Sequence, residues 1–156
     1  MRIGHGYDAH RFCENKKLVL GGVAFDVPYG LEAHSDGDVL LHALMDALLG
    51  AAGERDIGWQ FPPSDETYRN IDSRILLRRV AELLEEKGLA VEYADMTVVA
   101  QKPKLSGSLD AIRQSIAEVL EVPVSRINVK ATTEEHMGFT GREEGIAAHA
   151  VCLLRE

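Results

Sequence analysis

The segment between Asp38 and Gly50 constrains the fold more than any other part of the sequence. Six aliphatic residues recur there at helical spacing and form one apolar stripe: Leu40, Leu41, Ala43, Leu44, Ala47 and Leu48. Asp38 is a favourable N-terminal cap and Gly50 a favourable end. The pattern predicts a helix over residues 39–49, and its stripe has to be buried against a second layer of structure.

The rest of the chain predicts strands and two further helices. Residues 2–24 look like paired strands, and residues 90–101, 126–132 and 145–154 are apolar enough for three more. Asp72 can cap a second helix that stops at Gly88, in which Ile75, Leu76, Val80, Leu83 and Leu84 share a face, and residues 108–121 form a third. The predicted order is β-β-α-α-β-α-β-β. It indicates an α/β sandwich, a mixed sheet with helices packed on one face.

The last predicted strand is apolar on both faces. Ile146, Ala148, Ala150 and Cys152 alternate with Ala147, Val151 and Leu153. Helices on one side of the sheet leave its other side to be covered, so we expect burial against neighbouring subunits.

Length and charge limit the classes of function. With 156 residues, 46% of them hydrophobic, the chain is expected to form one domain over 1–156. A net charge of −8 argues against binding of nucleic acid or of an anionic membrane. The N-terminal sequence lacks the apolar run of a signal peptide. Two cysteines, Cys13 and Cys152, are too few for a disulfide framework. We therefore expect a cytoplasmic protein.

Three residues have the spacing of a metal site. Asp8 and His10 are two apart, so in an extended strand both side chains leave the same face, and His42 lies one turn inside the predicted helix. An Asp-His-His set is typical of a zinc site that keeps one position open. The alternative is a chance DxH and a core histidine whose hydrogen bonds are satisfied.

Two nearby features have equally open interpretations. Asp46 follows His42 by one turn and either orients the imidazole or is a solvated carboxylate. The loop of residues 34–38, with His34 and Ser35, lies before a helix and suits phosphate oxygens, but it also suits plain capping.

Residues 130–135, KATTEE, end an apolar strand with two hydroxyls and two carboxylates. Thr side chains there could hold phosphate and Glu a divalent cation. The alternative is a capping box, with Thr132 facing Glu135 across three residues, that opens a short helical turn.

Three long segments carry a resemblance to a known family. They are GHGYDAH at 4–10, AHSDGDVLLHALMDALLGAAGERDIG at 33–58 and VKATTEEHMGFTGREEGIA at 129–147. Together they resemble the 2-C-methyl-D-erythritol 2,4-cyclodiphosphate synthase family over almost the whole chain. The resemblance implies a metal-dependent enzyme of the non-mevalonate isoprenoid pathway, a homotrimer with active sites between subunits. The N-terminal sequence does not resemble a transit peptide, so we expect a bacterial cytoplasm rather than a plastid.

The resemblance also implies roles for individual residues. Asp8, His10 and His42 would hold Zn²⁺, and Glu135 a second cation, Mg²⁺ or Mn²⁺. His34 and Thr133 would stabilise the transition state, with Ser35 on the diphosphate. The methylerythritol part would be held by Asp56, Ile57, Gly58, Phe61, Pro62, Pro63, Ser64 and Asp65. Cytidine would be received by Ala100, Gln101, Lys102, Pro103, Lys104, Leu105, Ser106, Ala131 and Thr132 of the neighbouring subunit. Glu134 would be a further substrate-binding residue.

Phe139 and Arg142 match positions that would line a central trimer cavity, where a polyprenyl diphosphate would bind. Tyr7 stands where a Phe is frequent, which makes that cavity slightly more polar here. Two other functions compete with the cyclase: a metal-dependent phosphohydrolase that uses the same Asp-His-His site, and a non-catalytic, zinc-stabilised trimer that binds a ligand.

Overall fold

The computed structural model describes residues 1–156 and contains seven strands and five helices. The strands are β1 (Arg2–Cys13), β2 (Leu18–Leu20), β3 (Val23–Phe25), β4 (Gly30–Leu31), β5 (Ala90–Val99), β6 (Ile127–Thr132) and β7 (Gly145–Arg155). The helices are α1 (Val39–Ala52), α2 (Ile57–Gln60), α3 (Ser73–Glu86), α4 (Leu109–Leu120) and α5 (Gly138–Gly141). Two 3₁₀ turns lie at Glu66–Tyr68 and Val124–Arg126.

Five strands form one mixed sheet in the order β4-β1-β7-β5-β6. β7 runs antiparallel to both β1 and β5, whereas β5 and β6 are parallel. Helices α1, α3 and α4 cover one face and share one continuous apolar core with it. The predicted α/β class, with a mixed sheet and helices on one face, is confirmed.

The pairing predicted within residues 2–24 is wrong. β1 pairs with β7 and β4, and β2 pairs with β3 instead. Local alternation could not reveal this, because the partner of β1 lies at the other end of the chain. The predicted order also missed β3, β4, α2 and α5, which are too short to show a period.

The helix boundaries differ from prediction in one place. α1 continues past Gly50 to Ala52 and ends at Gly53, which adopts a left-handed conformation with φ 79°. Gly50 is tolerated inside the helix at a modest cost in propensity.

The buried face of α3 differs from the prediction at one position. Ile75 is exposed and Leu77 lies in the core instead, so that part of the predicted face is wrong.

Two glycines of β1 let α1 approach the sheet closely. A Cβ atom built on Gly4 or Gly6 would lie 1.9 Å from the carbonyl oxygen of Ala47 or Ala43. Only glycine fits at both positions, and the close approach brings His42 of α1 towards Asp8 of β1.

No helix is long and apolar enough to cross a membrane.

Candidate metal centre

Asp8, His10 and His42 converge on one point. Asp8 Oδ2 lies 2.9 Å from His10 Nε2 and 3.1 Å from His42 Nδ1, and the two imidazole nitrogens are 3.0 Å apart. Each residue offers one ligand atom, and these three atoms lie within 4.8 Å of one another. The structure thus brings together the three ligands predicted from the sequence.

The donor set fits a divalent metal. Ligands at about 2.0–2.1 Å from zinc in a tetrahedron lie about 3.3–3.4 Å from one another, which is within a few tenths of an ångström of the distances found here. Burial acts to raise the pKa of Asp8, but hydrogen bonds and charge from His10 and His42 hold it well below its usual range. Asp8 is therefore ionised, as a ligand has to be.

The three predicted ligands line a cavity of about 300 Å³ between β1, α1 and the segment that follows α1. Six further predicted site residues line the same cavity: His34, Ser35, Ile57, Gly58, Phe61 and Pro63. Glu32, Ala33, Tyr68 and Leu76 complete it and were missed, because nothing in their local sequence distinguishes them from surface or core residues. A larger groove of about 570 Å³ lies between the C-terminal parts of α3 and α4 but contains none of the predicted site residues.

The loop before α1 contributes hydroxyl and imidazole groups at the cavity. Ser35 Oγ lies 3.0 Å from His42 Nε2, and Lys16 Nζ donates to the Ser35 carbonyl at 2.6 Å. His34 Nε2 lies 3.1 Å from the carbonyl oxygen of Asp65. Asp38 caps α1 as predicted, because its carboxylate accepts from the Leu41 N–H.

Asp46 does neither of the things predicted for it. Its Oδ1 accepts a hydrogen bond from the Ile57 N–H at 2.8 Å, so it ties the start of α2 to α1 and does not orient His42. Burial raises its pKa, against this hydrogen bond. The sequence could not show this because α2 is only four residues long.

Four residues of the segment from Asp56 to Asp65 form one wall of the cavity: Ile57, Gly58, Phe61 and Pro63. Asp56 caps α2 by accepting from the Trp59 N–H at 2.8 Å. Asp65 caps the following 3₁₀ turn by accepting from the Thr67 N–H at 2.9 Å. Asp56, Pro62, Ser64 and Asp65 are exposed and lie outside the residues that line the cavity.

A second group of predicted site residues lies in and after β6, which is three strands away from β1 in the sheet. Asp8 and Val98 both pair with Ala148, and Val98 pairs with Ala131. Three strand spacings therefore separate Asp8 from Ala131, about 14 Å at 4.8 Å per spacing. One chain does not bring residues 131–135 to the metal ligands.

The turn after β6 is not a helix. Glu135 and His136 have positive φ values of 52° and 64°, which no right-handed helical turn contains, so the capping-box alternative is wrong. Thr133 Oγ1 instead accepts from the Glu135 N–H at 3.3 Å, and Glu134 accepts from Thr140. Glu135 is exposed and is not part of the metal-ligand group.

The predicted cytidine residues lie beside this turn. The Ala100 N–H donates to the Thr132 carbonyl at 3.0 Å, and the His136 N–H donates to Gln101 Oε1 at 3.2 Å. Lys102 pairs with Glu143 at 3.0 Å. Nearby, Phe139 is partly exposed in α5, and Arg142 pairs with Glu144 at 2.9 Å.

The chain is similar to known proteins over almost its whole length. The model of the YgbB family matches residues 1–155. The chain belongs to the YgbB family. Proteins called 2-C-methyl-D-erythritol 2,4-cyclodiphosphate synthase from Pseudomonas putida (strain W619) and from Azotobacter vinelandii are each 60% identical over 154 residues, covering 99% of this chain and 98% of theirs.

Solved structures share the YgbB fold. A 2C-methyl-D-erythritol-2,4-cyclodiphosphate synthase described as the CDP-bound form is 37% identical, with a TM-score of 0.90 over 99% of this chain and 100% of that one. The bifunctional IspDF from Campylobacter jejuni is 45% identical, with a TM-score of 0.95 over 98% of this chain. This chain spans only 42% of the bifunctional protein.

Proposed function

We propose that the chain converts 4-diphosphocytidyl-2-C-methyl-D-erythritol 2-phosphate to 2-C-methyl-D-erythritol 2,4-cyclodiphosphate and CMP, as a cyclising phosphorus–oxygen lyase of the non-mevalonate pathway. The observation that carries the proposal is the Asp8–His10–His42 group open to a cavity, in a chain 60% identical to proteins of that name.

The reaction is an intramolecular phosphoryl transfer. An oxygen of the 2-phosphate forms a bond to the β-phosphorus, the bond from that phosphorus to the CMP oxygen breaks, and the electron pair leaves with CMP. The attacking oxygen is already anionic, so the site needs no general base. What it has to overcome is repulsion between phosphates and the entropy of closing a flexible chain into a ring.

The acidic chain has to make its site locally positive. Asp8, His10 and His42 would hold Zn²⁺, and Glu135 would ligate Mg²⁺ or Mn²⁺ from the adjacent subunit. Bound divalent cations would screen the phosphate oxygens and polarise phosphorus. The ionised state of Asp8 supports the first assignment, and the exposed carboxylate of Glu135 beside Thr133 supports the second.

The residues around the cavity would hold an in-line conformer. Ser35 and His34 line the cavity and would donate to diphosphate oxygens, with Thr133 on the other side. Residues 56–58 and 61–65 would enclose the methylerythritol part, since Ile57, Gly58 and Phe61 already line the cavity. Residues 100–106, 131 and 132 would receive cytidine, and Glu134 would be a further substrate-binding residue.

A homotrimer would join the two halves of this site. The separation of residues 131–135 from the metal ligands within one chain supports it, and so does the exposed sheet face opposite the helices. That face carries Ile3, Tyr7, Tyr93 and Val151 as exposed large side chains. In such a trimer Phe139 and Arg142 would line a central cavity able to take a polyprenyl diphosphate.

We further propose that the enzyme works in a bacterial cytoplasm. The bacterial sources of the similar synthases and the two free thiols of Cys13 and Cys152 support this location.

Chromatography of reaction mixtures tests the proposal. Protein stripped of metal with a chelator should release no CMP from the substrate, and addition of zinc and magnesium should restore release. Inorganic phosphate in place of a cyclic product would show a phosphohydrolase. Zinc binding without any turnover would show a ligand-binding protein.

A further inference from the structure

The two ring nitrogens of His42 have different surroundings. Nδ1 faces Asp8 Oδ2 at 3.1 Å and His10 Nε2 at 3.0 Å. Nε2 faces two hydroxyls, Ser35 Oγ at 3.0 Å and Ser73 Oγ at 3.1 Å. A neutral imidazole carries its proton on only one nitrogen, so these partners decide which nitrogen is free to bind a cation.

Ser73 can only accept a hydrogen bond from His42. Its hydroxyl donates to Asp36 Oδ1 at 2.5 Å, which commits its single proton. The Asp36 carboxylate is fixed in turn, because it accepts from the Ser73 N–H at 2.9 Å and the Asp38 N–H at 3.0 Å. Ser73 is 0% exposed and His42 5%, so water does not replace these bonds.

The backbone holds Asp36 and Ser73 together although they are 37 residues apart. The Asp36 N–H donates to the Ile71 carbonyl at 3.0 Å, and the Asn70 N–H donates to the His34 carbonyl at 2.8 Å. These bonds join the loop before α1 to the start of α3. Ser73 therefore lies beside Nε2 of His42, on the side of the ring away from Asp8.

We propose that Asp36 and Ser73 are positioning residues that keep the proton of His42 on Nε2. Asp36 orients the Ser73 hydroxyl, Ser73 accepts from Nε2–H, and a cation held by Asp8 and His10 would then take the Nδ1 lone pair. Partners of this kind fix the tautomer and raise the basicity of a ligating imidazole. The inference rests on the metal site of the proposed function but not on the reaction.

The same arrangement determines where the hydroxyl proton of Ser35 can point. Because Nε2 carries a proton, Ser35 Oγ cannot donate to it, and the Gly37 N–H approaches the same oxygen at 3.4 Å. The Ser35 hydroxyl proton is then free to point into the cavity that this residue lines. Asp36 and Ser73 thus also present a donor to an anionic oxygen, such as one of a phosphate.

Long-range ¹⁵N–¹H correlation spectra of the zinc-loaded protein read the state of each His42 nitrogen directly. Wild type should show a proton on Nε2 and none on Nδ1. Ser73→Ala should shift the Nε2–H signal upfield and speed its exchange with solvent, because the hydrogen bond to Ser73 is lost. It should also weaken zinc binding by about 10–100-fold in competition with a chromophoric chelator, the usual cost of losing such a partner.

Ser35→Ala is the matched control, because it removes the other hydroxyl at Nε2 and leaves Asp36 and Ser73 in place. Its Nε2–H signal should be that of wild type and its zinc affinity should change by less than about threefold, well below the expected loss for Ser73→Ala. Ser73→Thr, which restores a hydroxyl, should recover affinity. If Ser73→Ala does not fold, Asp36→Asn gives the same comparison, since it alters the charge that orients Ser73 and little of the shape.

A zinc-loaded wild-type spectrum without a proton on His42 Nε2 would overturn the proposal. So would a folded Ser73→Ala variant with an unchanged Nε2–H signal and unchanged zinc affinity. Both measurements are made without substrate, so a failure of the cyclase assignment would leave them as they are, and a failure of this inference would leave CMP release by the wild type intact.

Discussion

Asp8 and Asp38 are both withdrawn from solvent, but their surroundings move their pKa values in opposite directions. Two imidazoles hold Asp8 ionised, whereas complete burial, with the nearby Asp36 carboxylate, raises the pKa of Asp38 to about 6. Three backbone N–H groups, of Gly21, Gly22 and Leu41, oppose that rise. The first carboxylate belongs to the candidate metal site, and the second fixes the start of α1.

Asp38 should make stability depend on pH. Its folded pKa lies above the unfolded value of 3.8, so its contribution is complete below about pH 4 and is lost as the pH rises through about 6. A shift of about two units corresponds to roughly 3 kcal/mol. Urea unfolding of wild type and Asp38→Asn between pH 4 and 7 should show a free energy of unfolding that falls with pH relative to the variant. Parallel curves would contradict the assignment.

Loss of one metal ligand should abolish turnover without unfolding the protein. In His42→Ala one of three converging donors is gone, so we expect zinc content near zero and a loss of activity of several orders of magnitude. Circular dichroism should be unchanged, because the small cavity left beside Ser35 and Ser73 is polar and can hold water. A zinc-free variant that keeps normal turnover would show that the ligand assignment is wrong.

Asp56 needs a variant that separates binding from capping. Asp56→Ala removes both the carboxylate and the cap of α2, whereas Asp56→Ser keeps a cap oxygen for the Trp59 N–H. If the carboxylate holds substrate, both variants should fold and both should lose activity strongly in steady-state kinetics. Normal kinetics in Asp56→Ser would assign Asp56 to capping alone.

At the scale of elements, the site depends on how closely α1 lies against β1. Capping residues and helical periodicity predicted α1, α3, α4 and the long strands to within a few residues. They did not predict that Gly4 and Gly6 are contact points, because a strand glycine can equally mark a bulge or a turn. They also missed Ser73, which local sequence marks only as the residue after a cap.

Gly6→Ala should therefore damage both stability and the site. Its Cβ would lie 1.9 Å from the Ala43 carbonyl, so α1 has to move away and carry His42 from Asp8. We expect a loss of about 1–3 kcal/mol or more in the free energy of unfolding, and weaker zinc binding. The matched control is Gly50→Ala, which meets nothing within 4 Å and should stabilise α1 by about 0.5–1 kcal/mol. Equal stability of the two variants would contradict this account of the interface.

At the scale of the whole molecule, the sheet has one face under helices and one uncovered in the single chain. The doubly apolar β7 indicated this from the sequence, although His149 interrupts its outer face. What the sequence could not show is that the two predicted halves of the site lie three strands apart. That separation follows from the strand order, which depends on contacts between distant segments.

A charge on the uncovered face should prevent association. Val151 is 41% exposed in the single chain, and Val151→Asp would place a carboxylate in an apolar interface at a cost of several kcal/mol. Sedimentation should show trimers for wild type and for Ile75→Asp, the control on the helical side, but monomers for Val151→Asp. A trimeric Val151→Asp variant would place the interface elsewhere.

Phosphorus NMR of the purified protein with 4-diphosphocytidyl-2-C-methyl-D-erythritol 2-phosphate, zinc and magnesium tests the central claim most directly. We predict coupled signals of a cyclic diphosphate together with free CMP, both absent after chelation and absent with His42→Ala. Inorganic phosphate, or an unchanged substrate in the presence of zinc-loaded protein, would contradict the claim.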